Sequence, residues 1–431
     1  MSQIKFKVHT GLNVKFKLEK FNSDGVIQET GWFKNTILEN GLNMLYDTRL
    51  FSMSTSITYS GVMEYCNIGT GTSTPAVSQT GLDNYYDQVR LTEHDNVLLN
   101  TTYDNPYRKI TNISYQFNIG KFSGQNISEV GLSRNIYDSD VGDAENYFNR
   151  QLVRTTSTVQ DEELHEGDGS QTEFSGALDA GSCDPDTVVI SAYDTDDNLM
   201  ILEDQGDGTF SGDGSGTILY DTGGYSITFN NPVGDGYKVH ANYEWQEATV
   251  ITVLEDEGLR VYAQVIQYFE LQPEEEVQES FTFEDLTEET SQTIDVTKKQ
   301  FYAIDSDFPG WGRSTTYPSS MSIVVIAPDA IPTDMASNFD TDIEGETCHN
   351  DSVSRNFTSY AAGGPKATIT GTWDPGSIDF DIGAVAVGFI GSGTFNYQRF
   401  ASYLFILDSP ITDILNTEEI KFTVEYTWGE V

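Results

Sequence analysis

Residues 421–428 read Lys-Phe-Thr-Val-Glu-Tyr-Thr-Trp. Phe422, Val424, Tyr426 and Trp428 share one side of an extended chain, and Lys421, Thr423, Glu425 and Thr427 share the other. Successive side chains of a strand point to opposite faces, so this segment predicts a strand with one buried and one wet face. The same period of two runs through nearly all of the chain. Near the start, Ile4, Phe6 and Val8 alternate with Lys5, Lys7 and His9. Val14, Phe16 and Leu18 repeat the pattern after Gly11, which reads as a turn. The spacing changes over residues 35–50, where Ile37, Leu38, Gly41, Leu42, Leu45 and Tyr46 recur at three- and four-residue steps. That spacing predicts one short N-terminal α-helix with an apolar face. The expected fold class is therefore mainly β, with several antiparallel β-sandwich domains and this one helix.

The chain has 431 residues, enough for two or three domains of about 150 residues each. It carries 23 Lys+Arg against 67 Asp+Glu, a formal net charge of −44. Such a surface cannot supply the cations that bind phosphate backbones, nor adhere to anionic lipid, so nucleic acid and membrane insertion are not expected. No run of about 18 apolar residues is present to span a bilayer. The opening Met-Ser-Gln-Ile-Lys-Phe-Lys-Val-His lacks the apolar core of a signal peptide. Cys66, Cys183 and Cys348 are odd in number and far apart, which is no disulfide framework. Synthesis in a reducing cytoplasm is the expectation.

Composition shifts at about residue 164. From His165 to Trp245 the sequence is dense in Gly and Asp, with short strands between tight turns. Asp221-Thr-Gly-Gly and Asn231-Pro-Val-Gly-Asp-Gly separate apolar-alternating runs in the manner of successive hairpins. Residues 165–246 thus read as a compact inserted β-sandwich domain. Val250, Thr252 and Leu254 then lead to a Glu-Asp-Glu-Gly turn, and Leu259, Val261, Ala263 and Val265 return from it. The expected division is 1–164 plus 247–272, 165–246, and a C-terminal β-sandwich at 273–431. Within the last, 305–320 and 343–365 read as long loops, and Pro273-Glu-Glu-Glu-Val as a solvated linker.

Motifs for chemistry fail. His165-Glu-Gly-Asp-Gly169 has Gly where a zinc-protease helix needs its second His. No Gly-x-Ser-x-Gly elbow and no phosphate-binding Gly loop occur, and Cys348-His349 is an isolated pair. With so many acids, carboxylate pairs suited to glycoside cleavage arise by chance and single out no residue. No catalytic residue and no cofactor are expected. Calcium is the one ion with candidates. Asp194, Asp196 and Asn198 alternate along one turn, and Asp204 and Asp207 crowd a Gly-rich one, although solvated turns use the same residues. Asp138-Ser-Asp-Val-Gly142 opens like a calcium loop but has Asn149 at its twelfth position. Trp311, in Phe308-Pro-Gly-Trp, and Tyr317 could stack on a host surface glycan or fill a subunit contact.

Four phrases resemble those of structural proteins of tailed bacteriophages, in the tail-fibre and baseplate group. They are Lys34-Asn-Thr-Ile-Leu-Glu-Asn-Gly-Leu-Asn-Met-Leu45, the crossing Asn67-Ile-Gly-Thr-Gly-Thr with Thr80-Gly-Leu82, Ile127-Ser-Glu-Val-Gly-Leu132, and Phe148-Asn-Arg-Gln-Leu-Val-Arg154. They follow one another in the order and at about the spacing of that group. The wording around residues 204–243 resembles an inserted sandwich domain of phage virion proteins. The resemblance implies a non-enzymatic structural subunit of the virion, made in the host bacterial cytoplasm. Its implied partners are itself, as a trimer or hexamer, and other tail and baseplate proteins. A receptor-binding tail-fibre adhesin and a head or neck decoration or fibre protein are the alternatives. Packing copies of charge −44 requires screening by salt or bridging by cations, which suggests a saline host.

Overall fold

The structure is a computed structural model that describes residues 2–44, 63–91, 98–102, 108–134, 147–269, 276–285, 290–300, 321–331, 347–350, 354–358, 366–390, 399–412 and 419–430. The chain is mainly β, arranged in several sheets, with one short α-helix among the described residues. The helix is Glu39–Met44, shorter at its start than the periodicity predicts. Thr36–Ile37 is instead a strand paired with Asn149–Leu152, and Leu38 N donates to Phe148 O at 3.0 Å. Neighbouring strands thus claim the backbone that would have made the first turn.

The axis of the molecule is Ser2–Asn22, a single strand of 21 residues, about 70 Å long. Gly11 is no turn: it pairs with Tyr268 on one edge and with Gly429 on the other. The reason is legible in the phase. Phe6, Leu12, Val14, Phe16 and Leu18 are all buried, so the inward face passes through Gly11 without a shift. Residues 10–21 run antiparallel to Gly258–Phe269, whereas residues 2–12 run parallel to Ile420–Glu430. Every other strand pairing among the described residues is antiparallel.

Among the described residues, strands on both sides of residue 273 join this axis in one 15-stranded sheet. The path through Met321–Ile326, Ile382–Ile390, Arg399–Ile411, Thr290–Gln300 and Glu276–Asp285 reaches Ser2–Asn22 from one side. Lys366–Trp373 and Ile420–Glu430 reach it from the other. Ile323, Val385 and Phe405 from the first group meet Ile369, Phe422 and Val424 from the second in one core, where Phe6 stacks on Phe405 with centroids 4.1 Å apart. That is a sandwich with the first strand at its seam. Thr347–Asn350 and Ser354–Thr358, inside a stretch read as loop, are strands.

Residues 154–248 build a separate eight-stranded sheet, from Arg154–Glu166 through Lys238–Ala248 to Glu173–Ala177, with its own core of Ile190, Leu202, Ile218, Ile227, Val239 and Tyr243. Its tight turns use glycine where L residues are strained: Gly223 at φ +63° and Gly236 at φ +74°. The chain then returns. Ile251–Val253 pairs with Gln125–Ile127, and Gly258–Phe269 pairs with Arg108–Phe117 as well as with the axis. Ile251 and Val253 face inward while Val250 and Leu254 are exposed, one residue out of phase with the sequence reading.

Candidate functional site

The four phrases that carry the phage resemblance meet in space. Tyr65–Gly69, Glu129–Ser133 and Asn149–Leu152 are neighbours in a five-stranded sheet, with Tyr85–Arg90 at one edge and Thr36–Ile37 at the other. Beside them lies the crossing, residues 70–84. Glu129 and Arg150 bind it through an ion pair of which both side chains are 0% exposed.

Glu129 Oε2 accepts from Arg150 Nε at 2.8 Å and from Asp83 N at 3.0 Å. Its Oε1 accepts from Gly71 N and Asn84 N, each at 2.8 Å. Two carboxylate oxygens offer about four acceptor positions, so this carboxylate is saturated. Arg150 Nη1 donates to Gln79 Oε1 at 2.6 Å, and Nη2 reaches Ser73 O at 3.1 Å and Asp83 Oδ2 at 2.8 Å. Burial works against the charge of Asp83, but hydrogen bonds from Ser73 and the guanidinium of Arg150 outweigh it and hold that carboxyl below its usual range. One buried charge from each of two strands therefore fixes both ends of the crossing.

Glycine makes the approach possible. A Cβ on Gly71 would lie 2.4 Å from Asp83 Cβ and from Glu129 Oε1, and one on Gly69 would lie 2.5 Å from Glu129 Oε1. At the helix, a Cβ on Gly41 would lie 1.9 Å from Phe148 O. Gln151 Nε2 donates to Lys34 O, Asn149 Oδ1 accepts from Leu132 N at 2.7 Å, and Trp428 Nε1 donates to Leu42 O at 2.8 Å. The last bond fastens the helix to the final strand. This cluster holds backbone in place; its only carboxylate at full burial has no acceptor position to lend to a substrate proton or a metal.

The calcium candidates lie on two separate turns. Asp194, Asp196 and Asn198 sit on the turn before Leu199–Asp204, and Asp204 and Asp207 at its far end, about 17 Å away along the strand. Asp194 Oδ1 accepts from Asn198 N and Asp196 N, each at 2.9 Å, and the amides of Asn198 and Asn231 reach the same carboxylate. The backbone bond from Asn198, followed by its side-chain bond, holds Asp194 below the usual carboxylate range. Asp204 accepts from Asp186 N, Gly206 N and the hydroxyl of Tyr220. Asp207 accepts from the hydroxyl and backbone N–H of Thr209, and these bonds lower its pKa. These oxygens cap turns. Among the described residues, no group of three or more His, Cys, Asp or Glu is placed to hold a metal. Trp311, Tyr317 and the acidic stretch 138–143 lie outside the described residues.

No family model matches the chain, and no curated protein or solved structure matches it. Glu129 and Arg150 lie within the phrases of the resemblance, where the sequence alone gives neither a role. The signal is that each is the lone charge of its strand phrase, Ile-Ser-Glu-Val-Gly-Leu and Phe-Asn-Arg-Gln-Leu-Val, and a charge that a strand buries needs a partner.

Proposed function

We propose that the chain is a non-enzymatic structural subunit of a tailed bacteriophage particle, of the tail, baseplate or fibre-attachment kind, assembling as a symmetric oligomer with itself and with other tail proteins. One observation supports this reading above the rest. The stretches quoted for the resemblance are distant in sequence, yet Lys34, Gly41, Gly71, Glu129, Phe148 and Arg150 make direct contacts within one cluster. Phrases alike by chance have no reason to be the parts that lock together. The saturated bonding of Glu129 and Arg150 also suits a rigid part rather than a reacting centre.

The test has two readouts on the full-length protein. Sedimentation should give a trimer or hexamer that dissociates at low salt, because like charges of −44 per copy repel when unscreened. Mass spectrometry of purified particles of the encoding phage should find the chain in stoichiometric amounts. A monomer at every salt concentration that is missing from particles overturns the proposal.

A further inference from the structure

Among the described residues, three of the exposed large apolar side chains lie together on the 154–248 sheet. Tyr193, Leu199 and Tyr237 are 45%, 48% and 38% exposed. Tyr193 pairs across the ladder with Leu199, which puts both side chains on one face. The ring of Tyr237 lies 5.6 Å from that of Tyr193, tilted by 45°. Two rings and an aliphatic group thus form one outward patch on a sheet whose other face is core.

The patch is built rather than incidental. Gly234 N donates to Tyr193 O and Tyr237 N to Gly234 O, both at 3.0 Å, so the two backbones that carry the rings are tied together. A Cβ on Gly234 would lie 2.4 Å from Tyr237 Cδ2, which shows that the ring lies across the glycine backbone. The Tyr237 hydroxyl donates to Asp197 Oδ1, and Asp197 sits at φ +64° on the turn that Asp194 caps. Rings held in place before binding lose little freedom on binding.

We propose that Tyr193, Leu199 and Tyr237 form a binding platform for a neutral glycan. A sugar ring offers an apolar C–H face to stack on aromatic rings and a rim of hydroxyl donors. Asp196, Asp197 and Asp235 are all exposed beside the patch and accept only. An acceptor rim matches hydroxyl donors and repels sialylated, sulfated or phosphorylated sugars. It also repels a second copy of the same patch, which would bring the same carboxylates. The proposal goes beyond the assembly role, and neither depends on the other.

The test applies the full-length protein to an array of neutral and anionic glycans and titrates the neutral hits. Neutral glycans should be retained and anionic ones refused. Tyr193→Ala and Tyr237→Ala should each weaken binding by about tenfold or more. Tyr237→Phe keeps the ring and should bind within about threefold of the parent. Leu219→Ser, at an exposed position on the Gly214–Leu219 strand, should bind as the parent does. Thermal melts of all four variants should superimpose on the parent. Retention of anionic glycans alone, retention of none, or neutral binding unchanged by both alanine variants overturns the proposal. So does a change of oligomeric state in the alanine variants without glycan binding in the parent, since the patch would then be a contact between copies. Loss of the glycan result leaves the particle experiment untouched, and the reverse holds equally.

Discussion

Arg150 Nε stands 2.8 Å from Glu129 Oε2 at a point where neither side chain is exposed at all. Removing one partner strands a charge away from water. Arg150→Ala or Glu129→Ala should cost about 3–5 kcal/mol, read as a lower denaturant midpoint with an unchanged slope. Replacing both by apolar groups of similar volume is often neutral elsewhere. Here it should remain costly, because Gly71, Asp83 and Asn84 would still lose their acceptor. A double Glu129→Leu, Arg150→Met variant as stable as the parent would refute this account.

The close approaches at glycine give a second expectation. Gly41→Ala places a methyl against Phe148 O, so either the helix or the strand must move. A loss of about 2–4 kcal/mol is expected in denaturant titration. Gly429→Ala meets nothing within 4 Å and should stay within about 0.5 kcal/mol of the parent. Equal effects at the two positions would rule out crowding as the cause.

Asp184 carries a pH expectation. Burial, helped by the charge of Glu244, pushes its pKa up; the bond from Gln246 Nε2, at 2.9 Å, and the charges of Lys15 and Arg154 only partly offset that. A carboxyl raised in the folded state binds its proton more tightly there than in the unfolded chain. Its stabilising contribution is therefore complete below the unfolded value near 4 and is lost as pH rises through the folded value. Asp184→Asn should be more stable than the parent at neutral pH, with the gap closing on acidification. A gap that widens towards low pH would reverse the sign and exclude desolvation as the dominant effect.

Thiol labelling offers a fourth. Burial drives Cys66 well above its ordinary value, and burial with Asp204 and Asp184 nearby pushes Cys183 up to about 12. At pH 8 only about one Cys183 in 10,000 is then thiolate, the form that reacts. Neither Cys66 nor Cys183 should label with iodoacetamide in the folded protein, and both should label once it is unfolded, as peptide mass spectrometry would show. Rapid native labelling of either would contradict its placement in the core.

Strand content was legible because burial on one face writes itself as alternation. Spacing alone puts Phe422, Val424 and Trp428 on the inner face, and all three are buried. Three features escaped for physical reasons. Gly11 is ambiguous by itself, since glycine serves both turns and crowded strand interiors; only the unbroken even-numbered phase distinguishes them. The periodicity overextends the helix at its start because a register-matched strand competes for Thr36 and Ile37. At 250–254, apolar residues occupy both phases, so burial had to be decided by pairing with Gln125–Ile127. As for sites, Asp194, Asp204 and Asp207 accept backbone N–H groups of their own turns, a use that the sequence writes in the same Asp and Gly residues as an ion loop. The Tyr193–Tyr237 pair, 44 positions apart, becomes visible only when the turn at 234–237 folds back onto its strand.

The parallel pairing of residues 2–12 with 420–430 has a consequence for biosynthesis. A ribosome adding about 5–20 residues per second releases the later partner some 20–80 s after the earlier one. Through that interval the leading strand carries an unsatisfied edge, while residues 154–248, whose strands all pair within that span, can already have closed. The state of that open edge during synthesis should therefore affect yield.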